Sequence, residues 1–307
     1  MHTVGRFAPT PSGRMHLGNV FAAMIAWLSV RSRGGSMILR MEDLDRQRTN
    51  EEKAQLIRED LRWLGLDWDE ESAPQSQRDG VYDRYFEKLM DEKLLYPCYC
   101  SRSQLHSVDA PHLSDGTYVY PGTCRNLTEA QKTAFSRKPA WRVRVPDREW
   151  ELQDLLQGPY RENLSKDCGD FVVRRADGAY VYQLAVTVDD GEAGVTEVVR
   201  GLDLLSSAPR QMYLQELFGF AKPAYGHVPL LLAPDGRRLS KRDQDLDMGV
   251  LRQQMSPEQI LGTLAFVAGL LDRCERISAR ELVSVFSWEK LRKDPVVVDT
   301  ACFFGAK

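Results

Sequence analysis

Apolar positions recur with two different periods over the first third of the chain. Thr3–Ala8 is a short run bounded by turn residues and predicts a strand. From about Gly18 to Arg33 the spacing predicts a helix, stopped by Gly34-Gly35. Ser36–Met41 predicts the next strand, which ends in Glu42-Asp43. Thr49-Asn50-Glu51-Glu52 reads as a capping box. It opens a helix in which Ile57, Leu61 and Leu64 share one face, up to Gly65. A further helix is expected over Val81–Leu94. Strands alternating with helices predict an α/β domain with a doubly wound parallel sheet.

The pattern breaks at Tyr96-Pro97. Residues 96–127 are rich in Cys, Ser, Gly, Pro and Tyr and carry little periodicity. Further on, Trp141–Val145 alternates as a strand does, and Phe171–Arg175 and Ala179–Gln183 flank Asp177-Gly178 like the arms of a hairpin. Residues 96–190 are therefore read as an insertion with a small fold of its own, between two halves of the α/β domain at 1–95 and 191–245. In the second half Val195–Val199 predicts a strand and Pro209–Phe218 a helix with proline in its first turn. His227–Leu232 predicts another strand before Asp235-Gly236. Residues 246–307 read as a small helical part, with Ser256-Pro257-Glu258-Gln259 and Ser278-Ala279-Arg280-Glu281 as helix starts.

A chain of 307 residues exceeds what one core usually supports. Its 43% hydrophobic and 28% charged residues fit a soluble globular protein. The net charge of −3 excludes a polycation, so any nucleic-acid contact must use local basic patches. The apolar stretch Val20–Val30 is too short to span a bilayer, and its flanks are not those of a signal peptide. A cytoplasmic protein without membrane contact is expected. Six cysteines in this length do not make a disulfide scaffold; Cys98, Cys100 and Cys124 lie close together and favour a metal site. Cys168, Cys274 and Cys302 stand alone.

Two remote segments carry the candidate chemistry. Residues 6–19 read Arg-Phe-Ala-Pro-Thr-Pro-Ser-Gly-Arg-Met-His-Leu-Gly-Asn. Pro9, Pro11 and Gly13 bend this loop, and Gly18 permits close backbone approach at a helix start, whose unpaired N–H groups and dipole suit a phosphate. His16 can donate to a phosphoryl oxygen. Residues 238–242 read Arg-Leu-Ser-Lys-Arg, a cationic loop with one lysine behind a serine. Either segment alone reads as an ordinary turn. Together they could grip a nucleoside triphosphate from two sides, with His16 and Lys241 as fixed donors where charge develops on phosphorus and departing pyrophosphate.

The first segment resembles the "HIGH" loop of class I aminoacyl-tRNA synthetases in the form of their glutamate branch, and Arg238–Arg242 resembles the "KMSKS" loop. The resemblance runs over about residues 3–250. It implies a Rossmann-type catalytic domain split by the insertion, with ATP as substrate alongside Mg2+. ATP-binding roles then fall on His16, Gly18, Asn19, Ser240 and Lys241. It also implies L-glutamate as the amino acid, bound by Arg6, Phe7, Ala8, Pro9, Thr10, Glu42, Tyr182 and Arg200. The chemistry suits: Arg6 and Arg200 for a carboxylate, Glu42 for the ammonium, Tyr182 for a hydroxyl bond. Without the resemblance, Arg6 and Glu42 would read as ordinary surface ion pairs.

Cys98-Tyr99-Cys100, followed by Tyr120-Pro121-Gly122-Thr123-Cys124, offers three thiolates of a tetrahedral zinc site. The residues leave the fourth ligand open between His106, His112 and Tyr120, a phenol being the less expected choice. The resemblance to short synthetase-like relatives with a Cys-x-Cys…Tyr-x-x-x-Cys arrangement implies Tyr120 and one structural Zn2+ that braces the insertion.

Only about 65 residues follow Arg242, enough for a small helical bundle but not for the anticodon-reading domains of glutamyl-tRNA synthetases. In this the chain resembles the glutamyl-queuosine tRNA(Asp) synthetases. That family activates glutamate with ATP without needing tRNA, then transfers the glutamyl group to queuosine at the wobble position of tRNA-Asp. The anticodon arm would enter as single-stranded, splayed bases, with Arg142, Arg144, Arg174 and Arg175 as candidate phosphate contacts. A monomer is expected. Two other readings stand beside this one: a glutamyl-tRNA synthetase that lost its anticodon domain and charges a tRNA 3′ end, and an inactive zinc-braced RNA-binding paralogue. A pure binder has no use for an ATP-gripping loop.

Overall fold

The computed structural model describes residues 2–101, 119–237, 239 and 247–298. In chain order the first part comprises β1 (Val4–Phe7), α1 (Leu17–Arg31), β2 (Ser36–Leu39), α2 (Glu51–Leu64), β3 (Glu70–Glu71) and α3 (Asp79–Asp91). There follow β4 (Leu95–Cys98), α4 (Glu129–Thr133), β5 (Ala140–Val143), β6 (Glu149–Asp154), β7 (Gly158–Asn163), α5 (Leu164–Asp167) and β8 (Phe171–Arg174). Next come α6 (Tyr182–Glu192), β9 (Glu197–Gly201), α7 (Ser207–Phe218), β10 (Ala224–Val228) and β11 (Leu231–Leu232). The last stretch holds α8 (Met248–Gln254), α9 (Pro257–Ala268), α10 (Ala279–Val285) and β12 (Val296–Val297).

Five strands pair in parallel in the order β10-β9-β1-β2-β3. The order reverses between β1 and β9, the switch point at which open α/β sheets bind ligands. Helix α1 is apolar on most of its circumference because it is covered on most sides: Val20, Phe21, Met24, Ile25 and Leu28 are all at most 1% exposed. It packs on β1, β2 and β9 and against α10. One core thus joins α1, α2 and the C-terminal helices on one face of the sheet. A second core on the other face gathers Tyr82, Phe86 and Leu89 of α3 with Leu184, Ala185 and Val188 of α6. Both capping boxes foreseen for the C-terminal part form, at Ser256/Gln259 and Ser278/Glu281; each cap contributes about 1 kcal/mol. At α2 the cap is Asn50 rather than Thr49, its side chain accepting from Lys53 N.

Three local expectations are corrected. Ala179–Gln183 is not a hairpin arm: it makes one bridge, Arg174 with Tyr180, and α6 begins at Tyr182. The run from Tyr180 to Val188 is β-branched enough to read as strand, but Leu184, Ala185 and Val188 share a helical face that the second core buries completely. Helix α6 continues through residue 190, where the insertion was expected to end. The strand expected at His227–Leu232 instead starts at Ala224 and breaks at Pro229, which has no N–H for the ladder. The β6–β7 hairpin was not foreseen, although Glu149–Asp154 alternates exposed and buried residues without a break. Among the described residues no helix is long and apolar enough to cross a membrane.

Candidate active site

A cavity of about 410 Å³ opens at the carboxyl ends of β1 and β9, at the switch point. It brings together ten residues singled out in the sequence: Arg6, Phe7, Ala8, Pro9, Thr10, His16, Asn19, Glu42, Tyr182 and Arg200. They come from the end of β1, the loop after it, the start of α1, the segment after β2, the start of α6 and the end of β9.

Arg6 is 4% exposed. Its Nε donates to Asp190 Oδ2 at 3.4 Å and its Nη1 to the Val199 carbonyl at 3.2 Å. Asp190 also takes Arg40 Nη1 at 2.6 Å, and Arg40 reaches Glu42 Oε1 at 3.2 Å. Burial pushes the Asp190 carboxyl up, but Arg40 and Arg6 outweigh it and hold the group below the ordinary aspartate range. For Glu42 burial wins and raises its pKa, despite opposition from Arg40 and Arg6. Sequence reasoning missed Arg40 and Asp190. The available signal was Arg40 inside the apolar run Met37–Met41 and the acid pair Asp189-Asp190 closing the run Leu184–Val188, where only pairing makes burial tolerable.

Arg200 is 5% exposed and differs from Arg6 in its partners. It donates to His227 Nε2 at 3.0 Å, Gln211 Oε1 at 2.8 Å, the Leu204 carbonyl at 3.2 Å and the Tyr182 hydroxyl at 3.4 Å. These hydrogen-bond partners are all neutral, and the Arg200 charge also helps to keep Asp190 ionised. His227, fully buried, has its Nδ1 2.6 Å from Asp154 Oδ2. The acceptor at one ring nitrogen and the donor at the other select the neutral Nδ1–H tautomer. Burial lowers the His227 pKa, and the Arg200 charge adds to it against the opposing carboxylate. Burial likewise raises Tyr182, with Arg200 opposing.

At the helix start His16 is the N-cap of α1: its Nδ1 accepts from Gly18 N at 3.1 Å, and Asn19 Oδ1 accepts from His16 N at 3.2 Å. With Nδ1 accepting, the neutral ring carries its proton on Nε2. Gly18 does not line the cavity. A Cβ there would come within 2.9 Å of the imidazole, so glycine lets the ring fold over the cap. Ser240, Lys241, His106 and His112 lie outside the described residues. Where the chain re-enters, Asp247 bridges to His16, and Met248 N donates to the Met15 carbonyl at 3.0 Å. Asp60 of α2, its side chain fully buried, takes both Arg14 of the loop (2.9 Å) and Arg252 of α8 (2.8 Å).

In the inserted lobe the Sγ atoms of Cys98, Cys100 and Cys124 lie within 4.8 Å of one another. Cys100 and Cys124 are 3.6 Å apart; a tetrahedral zinc with bonds of about 2.3 Å asks for about 3.8 Å. The Tyr120 hydroxyl stands 3.4 Å from Cys98 Sγ and 3.8 Å from Cys100 Sγ. Gly169, at φ +71°, holds Tyr120 there, because any Cβ would collide with the Tyr120 carbonyl. Burial pushes the Cys98 thiol up, but bonds from Tyr120 and the Cys100 backbone, and the Arg142 charge, bring it below its ordinary value. Burial and the neighbouring Cys98 push Cys100 up to about 12.

That use of Arg142 corrects its expected role as a phosphate contact. It is 6% exposed, donates to Cys98 Sγ at 3.3 Å and lies over the Tyr120 ring. Arg144 is half-buried and donates to the Arg125 carbonyl. Arg174 stacks on Phe86 and Tyr180, and Arg175 is exposed and pairs with Asp177.

The sequence profile of the tRNA synthetases class I (E and Q), catalytic domain, matches residues 2–301. A glutamyl-Q tRNA(Asp) synthetase from Symbiobacterium thermophilum is 47% identical over 306 residues, covering 95% of this chain and 94% of its own. One from Nitratidesulfovibrio vulgaris is 46% identical over the same shares. The chain belongs to the glutamyl-Q tRNA(Asp) synthetase family. The fold agrees with that membership. A glutamate tRNA ligase from Elizabethkingia meningosepticum, solved in complex with its amino acid, superposes with a TM-score of 0.83 at 28% identity, over 98% of this chain and 68% of that one. The family is one of ligases, and the expected class I α/β fold with its parallel sheet is the one found.

Proposed function

We propose that the protein condenses L-glutamate with ATP to glutamyl-adenylate and passes the glutamyl group to queuosine at the wobble position of tRNA-Asp. The observation that carries the reading is Arg200: a buried guanidinium on the cavity wall whose hydrogen bonds all go to neutral groups. A cation so placed is costly until an anion arrives. The distal carboxylate of glutamate supplies it, with Arg6 beside it, the Tyr182 hydroxyl completing the grip and Glu42 receiving the ammonium. Glutamine, neutral at that end, leaves the guanidinium unpaired at a cost of about 2–5 kcal/mol.

In the first step an oxygen of the substrate's other carboxylate attacks the α-phosphorus, and the bond to the bridging oxygen breaks as pyrophosphate leaves. The protonated Nε2 of His16 and the N–H groups opening α1 stabilise the triphosphate charge. Lys241 and Ser240 are assigned to the same task from the sequence, and Mg2+ accompanies the ATP. In the second step a hydroxyl of the queuosine diol attacks the acyl carbon, AMP leaves, and the hydroxyl proton is released. Cys98, Cys100 and Cys124, with Tyr120 as fourth ligand, have the donor chemistry and spacing for one Zn2+, which would cross-link the lobe and take no part in the reaction. A tRNA substrate is in keeping with a cytoplasmic protein.

Mapping the acceptor tests the proposal. Labelled glutamate is expected on queuosine-containing tRNA-Asp and absent from the unmodified form; label on the 3′ end of tRNA-Glu ends the reading in favour of a truncated synthetase. Glutamate-dependent ATP–pyrophosphate exchange without tRNA is expected as well, and its absence would leave only a binding module. Lys241→Ala is expected to cut that exchange by at least about a hundredfold, on the scale of removing one transition-state donor, with an unchanged melting temperature.

A further inference from the structure

The lobe carries an aromatic surface that the cavity does not use. Tyr99, between the first two cysteines of the cluster, stacks flat on Phe135, with centroids 4.4 Å apart and planes 4° from parallel. Tyr99 is pinned from behind, its N–H donating to Cys124 Sγ at 3.3 Å. Phe135 follows α4 and is 41% exposed, one of four large exposed hydrophobic residues among those described. The surrounding stretch is unlike the rest of the chain. Residues 130–146 hold Lys132, Arg137, Lys138, Arg142 and Arg144 and no acid, in a protein whose net charge is −3. Arg142 and Arg144 turn inward. Arg137 and Lys138 are exposed within three residues of Phe135, and Lys132, on α4, pairs only with Glu129.

We propose that the Phe135–Tyr99 stack is a platform for one unpaired base of the tRNA anticodon arm, with Arg137 and Lys138 taking the adjoining phosphates. This rests on the glutamyl-transfer reading and extends it by naming where the lobe holds the RNA. A flat ring backed by a second ring offers a π-face to any base, and cations beside it follow the strand, the combination by which proteins hold single-stranded nucleic acid. A double-stranded stem presents only phosphates and 2′-hydroxyls and has no use for the ring. A protein partner needs a broad apolar centre, which one ring among three cations does not provide. Because Tyr99 is held by the cysteine frame, Phe135 is already oriented, and little order is lost on binding.

The test uses the full-length protein with queuosine-containing tRNA-Asp. Phe135→Ala is expected to weaken tRNA binding on the order of tenfold, the scale of one lost base stack. Phe135→Trp is expected to keep the wild-type affinity. Replacing Arg137 and Lys138 together by Gln is expected to flatten the salt dependence of binding by about 1.4 units of log–log slope, about 0.7 for each phosphate contact on a single strand. Glutamate-dependent ATP–pyrophosphate exchange, which needs no RNA, is expected to be the same in all variants. Wild-type affinity in Phe135→Ala overturns the platform, and so does equal sensitivity to Phe135→Ala when a loop-free RNA duplex replaces the tRNA. A wild-type protein that transfers no glutamate to this tRNA overturns the underlying reading instead, whatever Phe135 does.

Discussion

Arg6 and Arg200 are two arginines on one cavity wall, and their partners make them respond oppositely to mutation. Arg6 shares Asp190 with Arg40 in a buried network. Arg6→Ala removes one of the charges that keep Asp190 ionised, so it is expected to raise the glutamate KM and also to lower stability by about 3 kcal/mol, as breaking a buried pair does. Arg200 hydrogen-bonds no carboxylate and is the weakest of the charges that hold Asp190 ionised. Arg200→Gln is expected to cost about two to three orders of magnitude in kcat/KM for glutamate, with the melting temperature held or raised. Thermal denaturation beside glutamate kinetics separates the two, and an Arg200→Gln protein destabilised as much as Arg6→Ala would contradict the difference between them. In the lobe, Cys98→Ser is expected to lower bound zinc by elemental analysis and to destabilise the insertion, while unchanged metal content would remove Cys98 from the ligand set. Arg6, Arg200 and Cys98 were legible in the sequence by type and place, and Arg40 and Asp190 were not. Their pairing was not, because a side chain's counter-ion is set by which distant strand end it meets.

The β6–β7 hairpin shows what a single element adds. It delivers Asp154 to His227 across 73 positions of sequence, and His227 in turn presents a lone pair to Arg200. Tyr225 stacks on the same imidazole. The hairpin therefore acts on the cavity without touching it. Asp154→Ala is expected to raise the glutamate KM severalfold and to leave the ATP KM alone; equal effects on both would mark a merely structural role. The imidazole also gives a pH signature. Its folded pKa lies below the ordinary value of about 6.5, so between those two values the unfolded chain binds a proton that the native state refuses. Stability from this source is complete above about pH 6.5 and is lost as the pH falls toward the folded pKa, at up to about 1.4 kcal/mol per pH unit. The glutamate KM is expected to rise in the same direction, since an imidazolium would face the Arg200 guanidinium. His227→Asn is expected to abolish that slope in pH-dependent denaturation.

At the scale of the whole molecule, the nucleotide loop and the C-terminal helices are held in one frame. Asp60 sits between Arg14 of the loop and Arg252 of α8, and Met248 is hydrogen-bonded to Met15 just before His16. Asp247 thus lies beside His16, while Leu239 is hydrogen-bonded to Leu231 of β11. Asp60→Asn keeps an acceptor but loses the charge that both arginines share. It is expected to raise the ATP KM and lower stability by about 2–3 kcal/mol, the scale of a charged hydrogen bond, with the glutamate KM near wild type. A selective change in the glutamate KM would refute the clamp.

The chain alone determined the alternation of strands and helices and the cysteine frame, and with the family resemblance it picked out ten residues that meet in one cavity. The alternation and the cysteine spacing are written locally, in caps, periodicity and short motifs read over a few turns of chain, whereas the cavity residues were reached through the resemblance of the Arg6–Asn19 loop to class I synthetases. The tertiary structure decided that Tyr180–Val188 becomes helix, that Arg142 serves the cysteine cluster instead of solvent, and that Asp190, Arg40, His227 and Asp154 stand behind the cavity. Those outcomes depend on burial and on charge partners far apart in sequence. The energy of a buried charge is settled by its neighbours in space, and only the closed fold specifies them.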